Sequence, residues 1–124
     1  MTGLTFDTGA LMALERRRQR IARIYAGAVA DAIRVTVPAV VVAEWWRGRT
    51  DGREAILRGI RIEEMSLPLA KLAGEALAAV TGATVIDAIV MASAARRGDI
   101  VYTSDVDDLD RLRVFFPSVR VLAS

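Results

Sequence analysis

The sequence predicts a single α/β domain, built on a central parallel sheet of about five strands with helices on both faces. The chain has 124 residues, the length of one ordinary domain, and 53% of them are hydrophobic, which is enough for a core. Short apolar strands alternate with helical segments along its whole length. Strands separated by helices form parallel sheets, because each helix returns the chain to the edge where the next strand begins.

The predicted strands are short apolar runs, several of them rich in β-branched residues, that lie between helical segments. They are LTF (4–6), RVTV (34–37), IRIEEM (60–65), IVYT (100–103) and VRVL (119–122). The run at 60–65 also alternates between apolar and polar residues, a pattern that favours a strand over a helix.

The segments between the strands show helical periodicity or residues typical of helix ends. Helices are predicted over residues 8–32, 38–48, 51–59, 67–82, 85–99 and 105–115. Apolar residues recur at spacings of three and four from Ile21 onward, and a break is expected near Glu15. Pro38 suits the first turn of a helix, and Gly98 is expected to end the fifth helical segment.

The composition excludes several kinds of catalytic and metal site. The chain contains no Cys and no His. A disulfide, a thiolate zinc site, a cysteine nucleophile, a Ser-His-Asp triad and a histidine base are therefore all absent. Enzymatic chemistry would have to come from carboxylates, hydroxyls, arginines and the single lysine, Lys71. Carboxylate oxygens are hard ligands that suit Mg²⁺ or Mn²⁺.

The charge distribution indicates a polyanionic partner, although the net charge is only +2. If four acids surround a metal ion, the rest of the surface carries 17 basic residues against the other 11 acidic ones. An equally supported alternative is that the arginines simply coat helix exteriors. The basic residues are grouped in RRRQRIAR (16–23), RGRTDGR (47–53), RR (96–97) and RLR (111–113).

The chain shows no targeting or membrane segment. The first residues, MTGLTFD, lack the basic and apolar regions of a signal peptide. The apolar run at 35–43 is too short to span a bilayer and contains a proline. We therefore expect a cytoplasmic protein with no membrane partner.

Four acids that are distant in sequence are predicted to meet at one edge of the sheet. Asp7 ends the first strand, and Asp105 directly follows the fourth. Asp87 lies in the first turn of the helix that leads into the fourth strand, and Glu44 lies on the helix that leaves the second. Open parallel sheets bind ligands outside the carboxyl ends of their strands, where the strand order reverses. The four carboxylates therefore predict a divalent-cation site.

Each acid also has a purely structural interpretation. Asp7 and Asp105 are both placed to cap the helix that follows. Thr84 and Asp87 match a capping box. Glu44 is harder to explain in this way, because its neighbours VVVA and WW are apolar and suggest a half-buried carboxylate that needs a partner charge or a metal.

The acidic segment SDVDDLD (104–110) contains four aspartates with different expected roles. Asp105, at the strand end, is expected to point inward as a ligand. Asp108 lies one helical turn further and is expected to face the same way, as a helper. Asp107 and Asp110 fall on other sides of that turn, and we expect them to face solvent and to favour the start of a helix.

Five motifs stand out along the chain, namely FDTGAL, VAEWW, VIDAIVMASAARRGD, VYTSD and VDDL. Together they resemble the PIN-domain ribonucleases, and within them the VapC-type toxins of type II toxin–antitoxin pairs. The run from Asp87 to the aspartate segment is the most specific part of the resemblance. The resemblance covers essentially the whole chain, so that residues 1–124 are expected to form one PIN-like nuclease domain.

The resemblance implies roles for individual residues. It places Asp7, Asp87 and Asp105 as metal ligands, and Glu44 as the fourth catalytic acid, which binds a second ion or orients a water. Supporting positions in the same pattern are Asp108, Thr103 and Thr8.

The implied activity is Mg²⁺- or Mn²⁺-dependent endoribonucleolytic hydrolysis of phosphodiester bonds. The implied partners are an RNA substrate, an inhibitory VapB-like antitoxin and a second copy of the chain in a homodimer. Trp45 and Trp46 are candidates for such an interface, or for the core, with equal support. The main alternative is a non-catalytic PIN-like module that binds RNA or protein, which would be expected to have lost some of the acids.

Two other phosphate-handling classes do not fit. A phospho-accepting receiver domain needs a lysine at a late strand end, whereas Lys71 lies within a predicted helix. A haloacid-dehalogenase-type phosphatase needs a second aspartate two residues after Asp7, where this chain has Gly9.

Overall fold

The computed structural model describes residues 2–124, which form one parallel sheet with helices on both sides. The strands lie in the order β3-β2-β1-β4-β5, and each neighbouring pair is parallel. The predicted α/β class and the five strands are confirmed within this range. The strands are β1 (Leu4–Phe6), β2 (Val35–Pro38), β3 (Arg61–Glu63), β4 (Ile100–Thr103) and β5 (Arg120–Ala123).

The helices connect successive strands and match the predicted segments closely. They are α1 (Thr8–Glu15), α2 (Gln19–Ala30), α3 (Ala39–Trp45), α4 (Asp51–Gly59), α5 (Leu67–Ala79), α6 (Val85–Arg97) and α7 (Val106–Asp110), the last followed by a 3₁₀ turn (Arg111–Val114). None of the helices within residues 2–124 is both long enough and apolar enough to cross a membrane.

The order in which the chain adds strands to the sheet reverses beside β1. The chain moves outward from β1 to β2 and β3, and then crosses over to β4 on the other side of β1. Thr5 in β1 pairs with Thr36 on one side and with Val101 on the other. The switch in strand order therefore lies between the carboxyl ends of β1 and β4, where such sheets bind ligands.

The side chains of β1 alternate between two helical layers. The ring of Phe6 packs 6.4 Å from the ring of Tyr25 in α2, while Thr5 points the opposite way and accepts a hydrogen bond from Arg97 in α6 (2.8 Å). Helix α6 is buried throughout 88–94, with α5 packed against it. Because α6 is covered by the sheet on one side and by α5 on another, it needs apolar residues all round, which explains the sequence AIVMASA.

Three predicted helices end at least three residues earlier than expected. Helix α3 ends at Trp45 instead of Gly48, because Trp46 is already extended (φ −67°, ψ 128°). Helix α5 ends at Ala79 instead of Gly82. The last predicted helix tightens into a 3₁₀ turn after Asp110, which lets Leu109 and Leu112, three residues apart, both enter the core.

The break predicted near Glu15 is confirmed, and Gly98 ends α6 in a left-handed conformation (φ 75°), as predicted.

A buried ionic cluster joins α6 to the sheet. The Arg97 guanidinium lies 2.9 Å from Glu63 Oε1, 2.9 Å from Asp99 Oδ2 and 2.8 Å from the Thr5 hydroxyl. The Asp99 carboxylate also accepts a hydrogen bond from Thr5 (2.9 Å). Since Asp99 is buried, its charge depends on Arg97 for compensation.

We therefore expect Arg97→Ala to lower the free energy of unfolding by about 3 kcal/mol, because it leaves a buried carboxylate without its cation. The neighbouring Arg96 is exposed, so Arg96→Ala should change stability by no more than about 0.5 kcal/mol. Urea unfolding of both variants measures the difference. Equal effects would show that the cluster contributes nothing beyond surface charge.

Candidate functional site

Asp7 connects the end of β1 to the start of α1. One carboxylate oxygen accepts a hydrogen bond from the backbone N–H of Ala10 (2.8 Å), and the other accepts one from the Thr103 hydroxyl. The side chain is nearly buried. Asp7 therefore caps the helix, as its structural interpretation predicted, and it also faces the end of β4.

Thr103 joins Asp7 to Asp105. Its hydroxyl donates to Asp7 and accepts a hydrogen bond from the backbone N–H of Asp105 (2.9 Å). Asp105 in turn caps α7 by accepting from the backbone N–H of Asp108 (3.4 Å). Three predicted site residues are thus linked through one buried hydroxyl at the switch point.

The two loops meet this closely because residue 9 is glycine. A Cβ atom added to Gly9 would lie 1.8 Å from Ser104 Oγ and 2.8 Å from Ser104 Cβ. Any side chain at position 9 would push the β1–α1 loop away from the β4–α7 loop. Our sequence interpretation used Gly9 only to exclude a phosphatase, since its contact with Ser104 arises in the folded chain.

Glu44 is exposed, so the expectation of a half-buried carboxylate is wrong. On α3, Val41 and Trp45 lie four residues apart and point into the core. Glu44 precedes Trp45 by one residue and therefore points about 100° away from it. Its carboxylate accepts a hydrogen bond from Thr8, at the start of α1, and this contact holds it beside the loop of Asp7.

Glu15 fixes the other end of the contact between α1 and α3, a role that sequence reasoning missed. Its carboxylate accepts a hydrogen bond from Trp45 Nε1 (2.9 Å) and pairs with Arg53 of α4 (3.0 Å). The only signal in the sequence is that an acid at a helix C-terminus opposes the helix dipole and needs a partner.

Trp45 is buried and Trp46 partly buried, so the pair belongs mainly to the core.

Asp87 lies in the first turn of α6, half-buried. Its backbone N–H donates to the Thr84 hydroxyl (3.1 Å), which confirms the predicted cap. We use the name acid rim for the carboxylates of Asp7, Glu44, Asp87, Asp105 and Asp108 that surround this edge of the sheet.

The acid rim has almost no compensating positive charge. Within residues 2–124, arginine forms no ion pair with Asp7, Glu44, Asp87 or Asp105, and Arg111 lies 3.9 Å from the outermost acid, Asp108.

The predicted solvent-facing acids stand apart from the rim. Asp107 and Asp110 are both exposed, and Asp110 pairs with Arg113 (3.3 Å).

Burial and neighbouring charges raise the pKa values of three acids in the rim. Burial raises the pKa of Asp7 to about 6, and the charges of Asp87 and Glu44 add to this, against the hydrogen bonds from Thr103 and Ala10.

The pKa values of Asp87 and Asp108 are raised as well. Burial raises the pKa of Asp87, and the charges of Asp108, Asp105 and Glu44 raise it further, against the hydrogen bond with Thr84. The hydrogen bond and the charge of Asp105 raise the pKa of Asp108. The carboxylates of the acid rim are therefore close enough for their charges to make Asp7, Asp87 and Asp108 costlier to ionise.

The donor chemistry of the acid rim fits a hard divalent cation. All its ligand atoms are carboxylate oxygens, and a bound cation would supply the positive charge that the rim lacks. Within residues 2–124, no three of these side chains converge closely enough to hold one ion as they stand. A binding site around Asp7 would form only after other side chains of the rim rotate toward it. Those of Glu44 and Asp105 are exposed, and that of Asp87 is half-buried.

Comparison with known proteins agrees with this architecture. The family model described as PIN domain matches residues 4–114. No functionally curated protein matches the sequence.

Solved structures resemble the chain over nearly its whole length. A chain of DNA-bound VapBC from Salmonella typhimurium aligns with a TM-score of 0.78 and 14% identity, covering 99% of this chain and 98% of that one. VapBC2 from Rickettsia felis, bound to a DNA fragment from its promoter, aligns with a TM-score of 0.76 and 11% identity, covering 98% of each chain. FitAcB from Neisseria gonorrhoeae aligns with a TM-score of 0.63 and 18% identity, covering 96% of each. At these identities the likeness concerns the fold.

Asp7 should make the metal-free protein less stable as the pH rises. Its pKa is about 6 in the folded protein against an ordinary value of 3.8, so the folded state binds more protons between those values and loses stability as the pH rises through them. Above pH 6 the full cost, about 3 kcal/mol, is present. Asp7→Asn should remove it and so raise the free energy of unfolding at pH 7.5, but not at pH 3.5.

Urea unfolding in EDTA at both pH values measures this effect. Asp107→Asn is the matched control, because Asp107 is exposed and lies outside the acid rim. An Asp7→Asn variant that is less stable than the parent at pH 7.5 would contradict the predicted cost of the Asp7 charge.

Gly9→Ala should destabilise the fold by about 2 kcal/mol, because the new methyl group overlaps Ser104. The double variant Gly9→Ala/Ser104→Gly should recover most of the loss, since it removes the overlapping atoms. Thermal unfolding of both single variants and the double variant gives the coupling between the two positions. Simple additivity of the two changes would argue against the contact.

Proposed function

Because the chain belongs to the PIN-domain family, we propose that it is a Mg²⁺- or Mn²⁺-dependent endoribonuclease and the toxin of a VapBC-type toxin–antitoxin pair. In this proposal residues 1–124 act as one nuclease domain in the cytoplasm. The observation that carries it is the acid rim, where carboxylates from four separate segments gather at the switch point with almost no arginine to neutralise them.

We assign distinct roles to the residues of the rim. Asp7, Asp87 and Asp105 would hold the cation, which when bound lowers the pKa of a water molecule and neutralises charge on the phosphate. Glu44, held by Thr8, would bind a second ion or orient the attacking water. The chain has no histidine, the side chain whose ordinary pKa lies near neutrality. The base for the reaction would therefore have to come from the cation site.

Thr103, Thr8 and Asp108 would position the catalytic acids. The Thr103 hydroxyl and the Ala10 N–H each occupy one lone pair on a different Asp7 oxygen, which orients the carboxylate and leaves the second lone pair of each oxygen free. Asp108 supports Asp105 through its backbone N–H, and its own carboxylate is exposed at the outside of the rim.

The proposed partners are an RNA substrate, a VapB-like antitoxin that silences the nuclease, and a second copy of the chain. The similar structures are two DNA-bound VapBC complexes and FitAcB. A toxin that works only when released from a partner fits a small domain whose acidic edge is open to solvent.

Asp7→Asn and Asp105→Asn should each reduce RNA cleavage by at least about 100-fold, because each removes a charged ligand while keeping the shape of the side chain. Asp107→Asn and Asp110→Asn are matched controls in the same acidic segment and should retain activity, since both side chains face solvent. Purified proteins are assayed on total RNA with Mg²⁺, with Mn²⁺ and with EDTA.

Full activity in EDTA, or in either rim variant, would contradict a metal-dependent nuclease. RNA binding without any cleavage by the parent protein would instead favour a non-catalytic RNA-binding module on the same fold.

A further inference from the structure

Three consecutive arginines form the corner between α1 and α2. The backbone N–H groups of Arg16, Arg17 and Arg18 donate to carbonyls of α1, those of Met12, Leu14 and Ala13, each at 3.0 Å. Arg17 has a left-handed backbone (φ 57°), a conformation that costs a residue with a side chain roughly 1 kcal/mol. The corner is therefore a turn with a defined backbone conformation.

The turn sends alternate arginines to opposite sides. Arg16 and Arg18 line a hollow of about 350 Å³ together with Gly9, Met12, Ser104 and Ser124, which we name the arginine hollow. Arg17 lines a separate hollow, on the side of Tyr25 and Ile56. Two arginines of the same corner thus share one concave surface and the third does not.

The arginine hollow adjoins the acid rim. Gly9 and Ser104, which line it, are the two residues whose close contact joins the loops of Asp7 and Asp105. A ligand that extends from the acid rim into the arginine hollow would therefore pass over the contact between Gly9 and Ser104.

The side chains that line the arginine hollow carry two positive charges and no negative charge. No Asp or Glu side chain lines it, and within residues 2–124 neither Arg16 nor Arg18 forms an ion pair. A second hollow of about 240 Å³ also borders the rim and contains Arg16, but Glu15 and Glu44 line it, and Glu15 already neutralises Arg53 there. The charge therefore favours the arginine hollow as the binding place for phosphate.

The start of α2 is held in place beside the hollow. Arg20 Nε donates to the backbone carbonyl of Ala123, at the end of β5 (2.8 Å). This hydrogen bond fixes the helix that begins after Arg18 against the carboxyl edge of the sheet. The backbone that carries Arg18 is therefore anchored near that edge.

We infer that the arginine hollow binds a phosphate of single-stranded RNA that flanks the scissile phosphate at the acid rim. The inference rests on the proposed function and adds a substrate-binding site to it. Arginine suits this role, because its planar guanidinium donates two hydrogen bonds to one phosphate. Such contacts place the strand without reading its bases, so binding through the hollow is independent of sequence.

The test measures RNA binding without cleavage, in the Asp7→Asn background. Fluorescence anisotropy with a labelled single-stranded RNA gives the affinity as a function of salt concentration. Loss of two phosphate contacts in Arg16→Gln/Arg18→Gln should reduce the slope of log K against log salt by about 1.4, since each contact to a single strand contributes about 0.7. The affinity at low salt should fall at least tenfold.

Arg17→Gly is the matched control. It removes one positive charge from the same corner but not from the hollow, and glycine accepts the left-handed backbone of position 17. It should change the slope by less than half as much as the double variant. Circular dichroism of each protein confirms that the fold is kept.

Equal slopes for the parent, the control and the double variant would overturn the inference, and so would equal losses per charge removed in both variants. The same RNA-binding data separate this outcome from failure of the nuclease proposal. If the parent does not cleave RNA and only the double variant loses binding, the hollow remains an RNA site and the catalytic proposal falls. If cleavage requires the acid rim but binding ignores the arginines, only this inference is wrong.

Discussion

The hydroxyl of Thr103 is the contact on which the acidic edge of the sheet depends. It donates to Asp7 and accepts from the backbone of Asp105, so one buried atom sets the spacing between the loops that follow β1 and β4. A hydroxyl can do both at once, whereas a carboxylate or an amide N–H could do only one. The contact is available only because β1 and β4 are neighbours at the switch in strand order, and because Gly9 lets the loops approach.

Acids in the scaffold have different partners from acids at the carboxyl edge of the sheet. Asp99 is buried and Glu15 is partly buried, and each is paired with an arginine, Arg97 and Arg53 respectively. Asp7 is buried about as deeply as Asp99 but has hydrogen bonds instead of an arginine partner, and burial raises its pKa. An uncompensated carboxylate reduces stability, and such costs concentrate where a site must bind a ligand of opposite charge. The contrast between these acids separates the site from the scaffold more clearly than acid content does.

Most elements could be predicted because their signals are local. Strand β4 and helix α4 have their predicted bounds, and Gly98 ends α6, since short apolar runs and a glycine stop act over a few residues. The prediction for Glu44 was wrong for the opposite reason. Apolar neighbours in sequence suggested burial, but the helix rotates successive side chains by about 100°, so Trp45 enters the core while Glu44 faces solvent.

The sequence by itself determined the α/β class, the chemical nature of the site and the positions of its acids at strand and helix ends, because these follow from periodicity, from the absence of Cys and His, and from chain order. Only the tertiary structure decided which groups touch. The contact of Gly9 with Ser104 and the bond from Thr103 to Asp7 join residues that lie more than ninety positions apart. Such contacts depend on which strands become neighbours, and the strand order is set by packing of the whole chain, which local patterns do not contain.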